Sequence, residues 1–178
     1  MKYAEDYLSF LVHFHGSRDY FECHEILEEY WKEIAPKERD SHWVGLIQIA
    51  VALYHERRGN KKGAARTLAK AVANLQAKKP ELLKLGLDPE MLMNILGEVH
   101  QRMLTESPYE SINLPIADQR LIEKCRFICL KEGYIWCSKS DMGNAALIDK
   151  HLIRDRSDVI SERARQLSLR QTRMEDRP

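Results

Sequence analysis

Apolar residues recur along this chain at intervals of three and four, the spacing of one helix face, with almost none of the alternation a strand shows. Tyr3, Tyr7, Leu11 and Phe14 predict a first helix over 3–15. Gly16 closes it, Ser17 or Asp19 caps a second that runs to about Ile34, and Pro36 ends the hairpin. A third helix is predicted over 39–58, stopped by Gly59. Asn60 caps a fourth, whose Ala64, Leu68, Ala71, Val72 and Leu75 form one apolar stripe, and Pro80 closes that neighbourhood. Asp88-Pro89-Glu90 joins a cap, a proline at the first helical position and an acid in the first turn, and so starts a fifth helix reaching about Leu104. Residues 105–117, with Pro108 and Pro115, read as an extended crossing segment. Asp118 caps a sixth helix ending at Gly133, and two shorter helices are predicted over 144–154 and 158–173. INLPI and YIW are the only doubtful pieces. The fold class is all-α: an antiparallel helical-hairpin bundle over 1–104, followed by a C-terminal helical extension over 105–178. The first four helices make two hairpins of similar size, but no fixed sequence period marks a repeat array.

Composition narrows the classes. The chain has 178 residues, 44% hydrophobic and 31% charged, enough for one good core. Its net charge of +1 gives no global pull toward nucleic acid or an anionic membrane. The longest apolar run, Val44 to Tyr54, is broken by Gly45 and Gln48 and is too short to span a bilayer. Cys23, Cys125, Cys129 and Cys137 contain no CxxC pair, which removes zinc-ribbon and thioredoxin readings. With no signal peptide in view, reduced thiols and a cytoplasmic location are expected.

The densest chemistry lies in FHGSRDYFECHEILEEYW, Phe14 to Trp31. On a helical wheel Tyr20, Cys23, Leu27, Tyr30 and Trp31 make an inner face, flanked by His24 and Glu28 four residues apart. Glu22, Glu25 and Glu29 fall on the opposite, solvated side. In the third helix Trp43, Leu46, Ile47, Ala50, Leu53 and Tyr54 cover most of the circumference, so it is the expected central helix. Its remaining stripe reads Ser41, Gly45, Gln48, Ala52, His55. The expectation is a polar cluster of His24, Glu28, Gln48 and His55 between helices two and three. Three readings of it stand open: a hydrogen-bonded packing network, a small-molecule or peptide groove, and a divalent metal held by His24, Glu28 and His55.

His24-Glu25 followed by Glu28 is HExxE, which lacks the second histidine of the zinc-protease motif. Arg57, Arg58, Lys61, Lys62, Arg66 and Lys70 form a basic patch where phosphate or nucleic acid could bind, although the near-zero net charge favours a solvated face. The tail from Lys150 to Pro178 carries seven arginines against five acids after His151, with a thin apolar edge of Val159, Ile160, Ala164 and Leu167. That edge suits docking on the chain's own core or on a second copy, so a homodimer is an expectation. Interleaved acids disfavour a nucleic-acid arm.

FHGSRDYFECHEILEEYW followed by GLIQIAVALYHERRGNKKGA resembles the small prokaryotic family catalogued as domain of unknown function number 309. The resemblance rests on Phe14, Gly16, Glu22, His24, Glu25, Glu28 and Trp31, then Gly45, Leu46, Ile47, Gln48, His55, Gly59, Asn60, Gly63 and Ala64, and covers roughly residues 8–76. It implies an all-α helical-hairpin domain and no established activity. Glu25 and Trp31 join the candidate binding residues because they belong to the shared motif.

Two functions follow as expectations. The first is a non-enzymatic module that takes a protein or small-molecule ligand in the groove between helices two and three. The second is metal-assisted hydrolysis with His24 and His55 as ligands, Glu28 as third ligand or general base, and Gln48 orienting water or substrate.

Overall fold

Four side chains set the helix starts. Asp19, Asn60, Asp88 and Asp118 each accept a hydrogen bond from a first-turn amide, at Glu22, Gly63, Met91 and both Arg120 and Leu121 respectively. Each cap satisfies an N–H that the helix cannot pair internally, an effect of ~0.5–2 kcal/mol. In this computed structural model, which describes residues 3–105 and 107–153, the helices are α1 (Glu5–Val12), α2 (Tyr20–Ile34), α3 (His42–Arg57), α4 (Lys61–Gln76), α5 (Lys79–Lys84), α6 (Pro89–Met103), α7 (Gln119–Lys131), α8 (Ala145–Ile148) and α9 (Lys150–Ile153).

The architecture is all-α. Among the described residues no strand forms; INLPI contributes a single antiparallel bridge between Ile116 and Leu87. Three details differ from the pattern-based expectation. The first helix gives way after Val12 to a π-helical turn, His13–Ser17, which carries the coil past Gly16. Pro80 opens the short helix α5 instead of closing a neighbourhood, because a first-turn proline sacrifices no hydrogen bond. The 144–154 helix is split into α8 and α9, and the one expected over 158–173 lies outside the described residues.

The chain divides into two compact units, Met1–Ile148 and Asp149–Pro178; among the described residues the second contains α9. In the first unit α3 is the central helix, packed against α2 on one side and α4 on the other. Gly45 explains how close α4 comes: a Cβ there would collide with the Leu75 side chain. α4 also meets α6, and α1 meets both α2 and α7. At Gly16 a Cβ would lie 2.8 Å from Cys129 Sγ and 3.0 Å from Tyr134 Cβ, so the π turn sits directly on α7 and the chain that follows it. Tyr7, Phe10, Phe14, Tyr20, Leu27, Leu46 and Leu53 are fully buried in one core.

Candidate functional site

The expected α2–α3 polar cluster is not assembled as such. His24 Nε2 lies 2.7 Å from Glu28 Oε2 and its Nδ1 lies 3.1 Å from Glu25 Oε1, so Glu25 joins the pair instead of pointing away. Lys32 Nζ reaches Glu28 Oε1 at 2.6 Å. The hydrogen bond from His24, with help from Lys32 and against burial, holds the Glu28 carboxyl down at about 2. The group is a half-buried surface network.

Gln48 and His55 sit on the other side of α3. At ~100° per residue, positions 41, 45, 48, 52 and 55 span an arc of roughly 80°, and Gly45 fixes that arc against Leu75 and Asn74 of α4. The opposite face carries Trp43 and Tyr54, which meet Tyr30 (5.0 Å) and Phe21 (5.9 Å) of α2 edge to face, and Arg57, whose guanidinium lies over the Tyr20 ring (4.8 Å). These contacts lie in the α2–α3 interface. Gln48 Oε1 is buried without a hydrogen bond, and His55 Nδ1 lies 3.4 Å from Asn60 Nδ2. Among the described residues no group of three His, Cys, Asp or Glu side chains could hold a metal, so His24, Glu28 and His55 do not converge as a ligand set. Trp31 donates from Nε1 to the Glu38 carbonyl at 3.0 Å and pins the α2–α3 link.

A different constellation occupies the α1–α2 junction. The wide π turn ends at Arg18, whose backbone is left-handed (φ 57°) and whose side chain is 1% exposed. Its guanidinium donates Nε to the Ser138 carbonyl (2.7 Å), Nη1 to the carbonyls of Phe14 (2.8 Å) and Ile112 (2.6 Å), and Nη2 to Asn113 Oδ1 (2.6 Å). Arg57, assigned by the sequence to a solvated patch, is buried beside it. Its Nη1 donates to the Arg18 carbonyl (2.6 Å) and Ser140 Oγ (3.3 Å), and its Nη2 to the Leu147 carbonyl (3.1 Å). Hydroxyls complete the ring: Tyr20 to Tyr109 at 2.9 Å, Tyr109 to Ser140 at 2.9 Å, Ser111 to Ser140 at 3.1 Å. The hub thus ties the segment around 109–113 and the one around 138–147 to the start of α2.

On one side of the hub lies His15, 1% exposed and stacked on Trp136 with centroids 4.5 Å apart and planes within 12°. Cys137 donates its amide to the His15 carbonyl at 2.8 Å, and its Sγ is 3.7 Å from His15 Nδ1. Nε2 is buried with no hydrogen bond of its own. Burial first, then the Arg18 charge, push the imidazole down to about 3; the side chain of Asn113 opposes this by hydrogen bonding, but more weakly, because it does not meet the ring in full hydrogen-bond geometry. The ring is therefore neutral at physiological pH. His15, Asn113, Trp136 and Cys137 line a cavity of about 310 Å³ whose other walls include Met91, Leu114, Ile116 and Ile122.

The family model described as "Domain of unknown function (DUF309)" matches residues 7–67. The chain is also 51% identical over 168 residues to the uncharacterized protein YpuF of Bacillus subtilis (strain 168), covering 94% of this chain and 97% of that protein. The chain belongs to the DUF309 family. No solved structure matches it. The DUF309 match takes in His15, Arg18 and Arg57, while their partners at 109–113 and 136–147 lie beyond it. Among the described residues no helix is long and apolar enough to cross a membrane.

His15, Arg18 and the burial of Arg57 escaped the sequence reading because polar residues around a glycine turn look solvated. One signal was present: a chain that leaves a helix at Phe14-His15-Gly16 and caps the next at Asp19 has only Ser17 and Arg18 between, so their side chains start close to the core.

Proposed function

We propose that this protein is a non-enzymatic, ligand-binding helical module, and that its ligand is a small neutral molecule with one hydrogen-bonding edge, held in the cavity beside His15 and Trp136. The observation that carries this reading is His15: a fully buried, neutral imidazole in the wall of a cavity, with a ring nitrogen that has no hydrogen bond. An unpaired buried polar atom costs ~1–3 kcal/mol, which a ligand that pairs it recovers. The volume of about 310 Å³ falls at the lower end of ligand pockets, ~300–1,000 Å³. Apolar walls with a few convergent polar groups are the composition such pockets share. Four free cysteines, three of them buried, support a reducing, cytoplasmic setting.

Ligand-observed NMR with a library of neutral heteroaromatic fragments tests the reading. Fragments that bind wild type, compete with one another and lose binding on Trp136→Ala support it. An absence of binders, or binders indifferent to Trp136→Ala, overturns it.

A further inference from the structure

Another cavity at the hub has different chemistry. It is a cleft of about 620 Å³ between the α3–α4 turn and the segment carrying Ser107 and Tyr109, with Arg57, Asn60, Lys61 and Lys62 on its wall. Among the described residues no carboxylate forms an ion pair with Arg57, Lys61 or Lys62. Arg57 is 4% exposed, its three acceptors are two carbonyls and a hydroxyl, and its Nε is buried without a hydrogen bond. Lys61 Nζ donates to the carbonyls of Thr105 (2.7 Å) and Ser107 (2.6 Å), which hold it at the cleft without cancelling its charge. Lys62 is exposed beside it. The carboxylate in the wall, Glu56, is already consumed by Arg102 through two bonds of 2.7 and 2.8 Å. Burying a guanidinium without a carboxylate is expensive, and here the imbalance faces an open cleft.

Local backbone adds to the same field. The cleft takes in the N-terminus of α4, a helix of 16 residues, where aligned peptide dipoles favour an anion although Asn60 already caps the Gly63 amide. Tyr109 and Ser107 contribute hydroxyl groups at the wall.

We propose that this cleft binds a phosphate-type oxyanion, free or carried on a phosphomonoester, between the Arg57 guanidinium, the Lys61 and Lys62 ammonium groups and the first turn of α4. Both Nη atoms of Arg57 already donate to protein acceptors, so its guanidinium contributes charge to the cleft and the two lysines add point charge. The site is separate from the His15 cavity and does not depend on it. A small anion fits better than a nucleic-acid strand, because Arg66 and Lys70, which continue the basic face of α4, lie outside the cleft and the chain's net charge is only +1.

Calorimetric titration at fixed ionic strength, with inorganic phosphate, phenyl phosphate and a chloride control, decides the matter. Wild type is expected to bind phosphate or phenyl phosphate saturably where chloride gives no heat of binding. Binding of both probes supports free anion as ligand, and binding of phenyl phosphate alone identifies the ester as the source. The Lys61→Gln, Lys62→Gln double variant, whose positions leave the core untouched, is expected to weaken binding at least tenfold. Arg66→Gln, an exposed neighbour outside the cleft, and Trp136→Ala, in the other cavity, are expected to leave it unchanged. No binding beyond chloride, or equal weakening by Arg66→Gln, overturns the proposal. Tighter binding of a single-stranded oligonucleotide than of either probe, lost in the double variant, replaces it with a nucleic-acid site.

Discussion

Nη1 of Arg57 donates a 2.6 Å hydrogen bond to the carbonyl oxygen of Arg18, so one buried guanidinium holds the backbone of the residue that carries the other. The relationship makes the α1–α2 junction, the end of α3 and the two C-terminal segments a single polar unit. Each of the four acceptors on the Arg18 side chain is a neutral oxygen that would otherwise need water.

Arg18→Ala removes all four bonds at once and leaves those oxygens unpaired in the interior. Urea unfolding is expected to report a loss of at least ~3 kcal/mol, since breaking a buried charged network falls in that range. Arg18→Lys restores the charge without the planar fork and is expected to recover little. A lysine variant as stable as wild type would mean that charge alone, and not the four-way geometry, holds the junction together.

Gly45→Ala sets two effects against each other. Alanine favours a helix interior over glycine by ~1 kcal/mol, but the new Cβ would collide with Leu75 across the α3–α4 contact. Overpacking costs ~1–3 kcal/mol, so the steric effect is expected to win and the variant to be less stable. Adding Leu75→Ala frees the space, and the double variant should lose less than the sum of the two single ones. Additive losses would show that the contact at residue 45 is looser than its geometry.

Gly45 also marks where sequence reading succeeds and stops. The small-residue stripe on α3 correctly signals a close helix neighbour, and the caps at Asn60, Asp88 and Asp118, with Asp19 of the two candidates Ser17 and Asp19, place four helix starts. A stripe does not name its partner, however. Positions 48 and 55 follow Gly45 toward α4, whereas His24 and Glu28 stay on the outer side of α2. The His15 cavity is harder still to foresee, since it joins residues 15, 113 and 136 across the chain. Helical periodicity carries no information about such loop-to-turn contacts.

His24→Ala tests that separation. With both partners about a quarter to a third exposed, the His24–Glu28 pair is screened by water, and its removal is expected to cost less than ~1 kcal/mol. The Glu28 carboxyl, held at about 2 chiefly by His24, should rise toward its ordinary 4.5 while Lys32 keeps part of the shift. Carboxyl-detected NMR titration reads that change directly. A loss above ~2 kcal/mol would instead point to the buried network that the sequence suggested.

The His15 imidazole gives the fold a pH dependence whose direction is fixed. Its folded value lies at about 3 and its ordinary value at 6.5, so below 6.5 the unfolded chain takes up a proton that the folded chain refuses. Stability must then fall as pH drops through that window and is fully restored above it. His42, also lowered by its burial, acts in the same direction. Glu28 contributes only below its ordinary 4.5, which leaves the interval from about pH 5 to 6.5 to the histidines. Over that interval a shift of this size corresponds to about 1.5 kcal/mol for His15. Urea midpoints of wild type should therefore decline between pH 6.5 and 5, and His15→Asn, which keeps a polar amide in place of the titrating imidazole, should flatten most of the decline. The same slope in both proteins would place the proton uptake elsewhere and remove the buried neutral imidazole from the cavity wall.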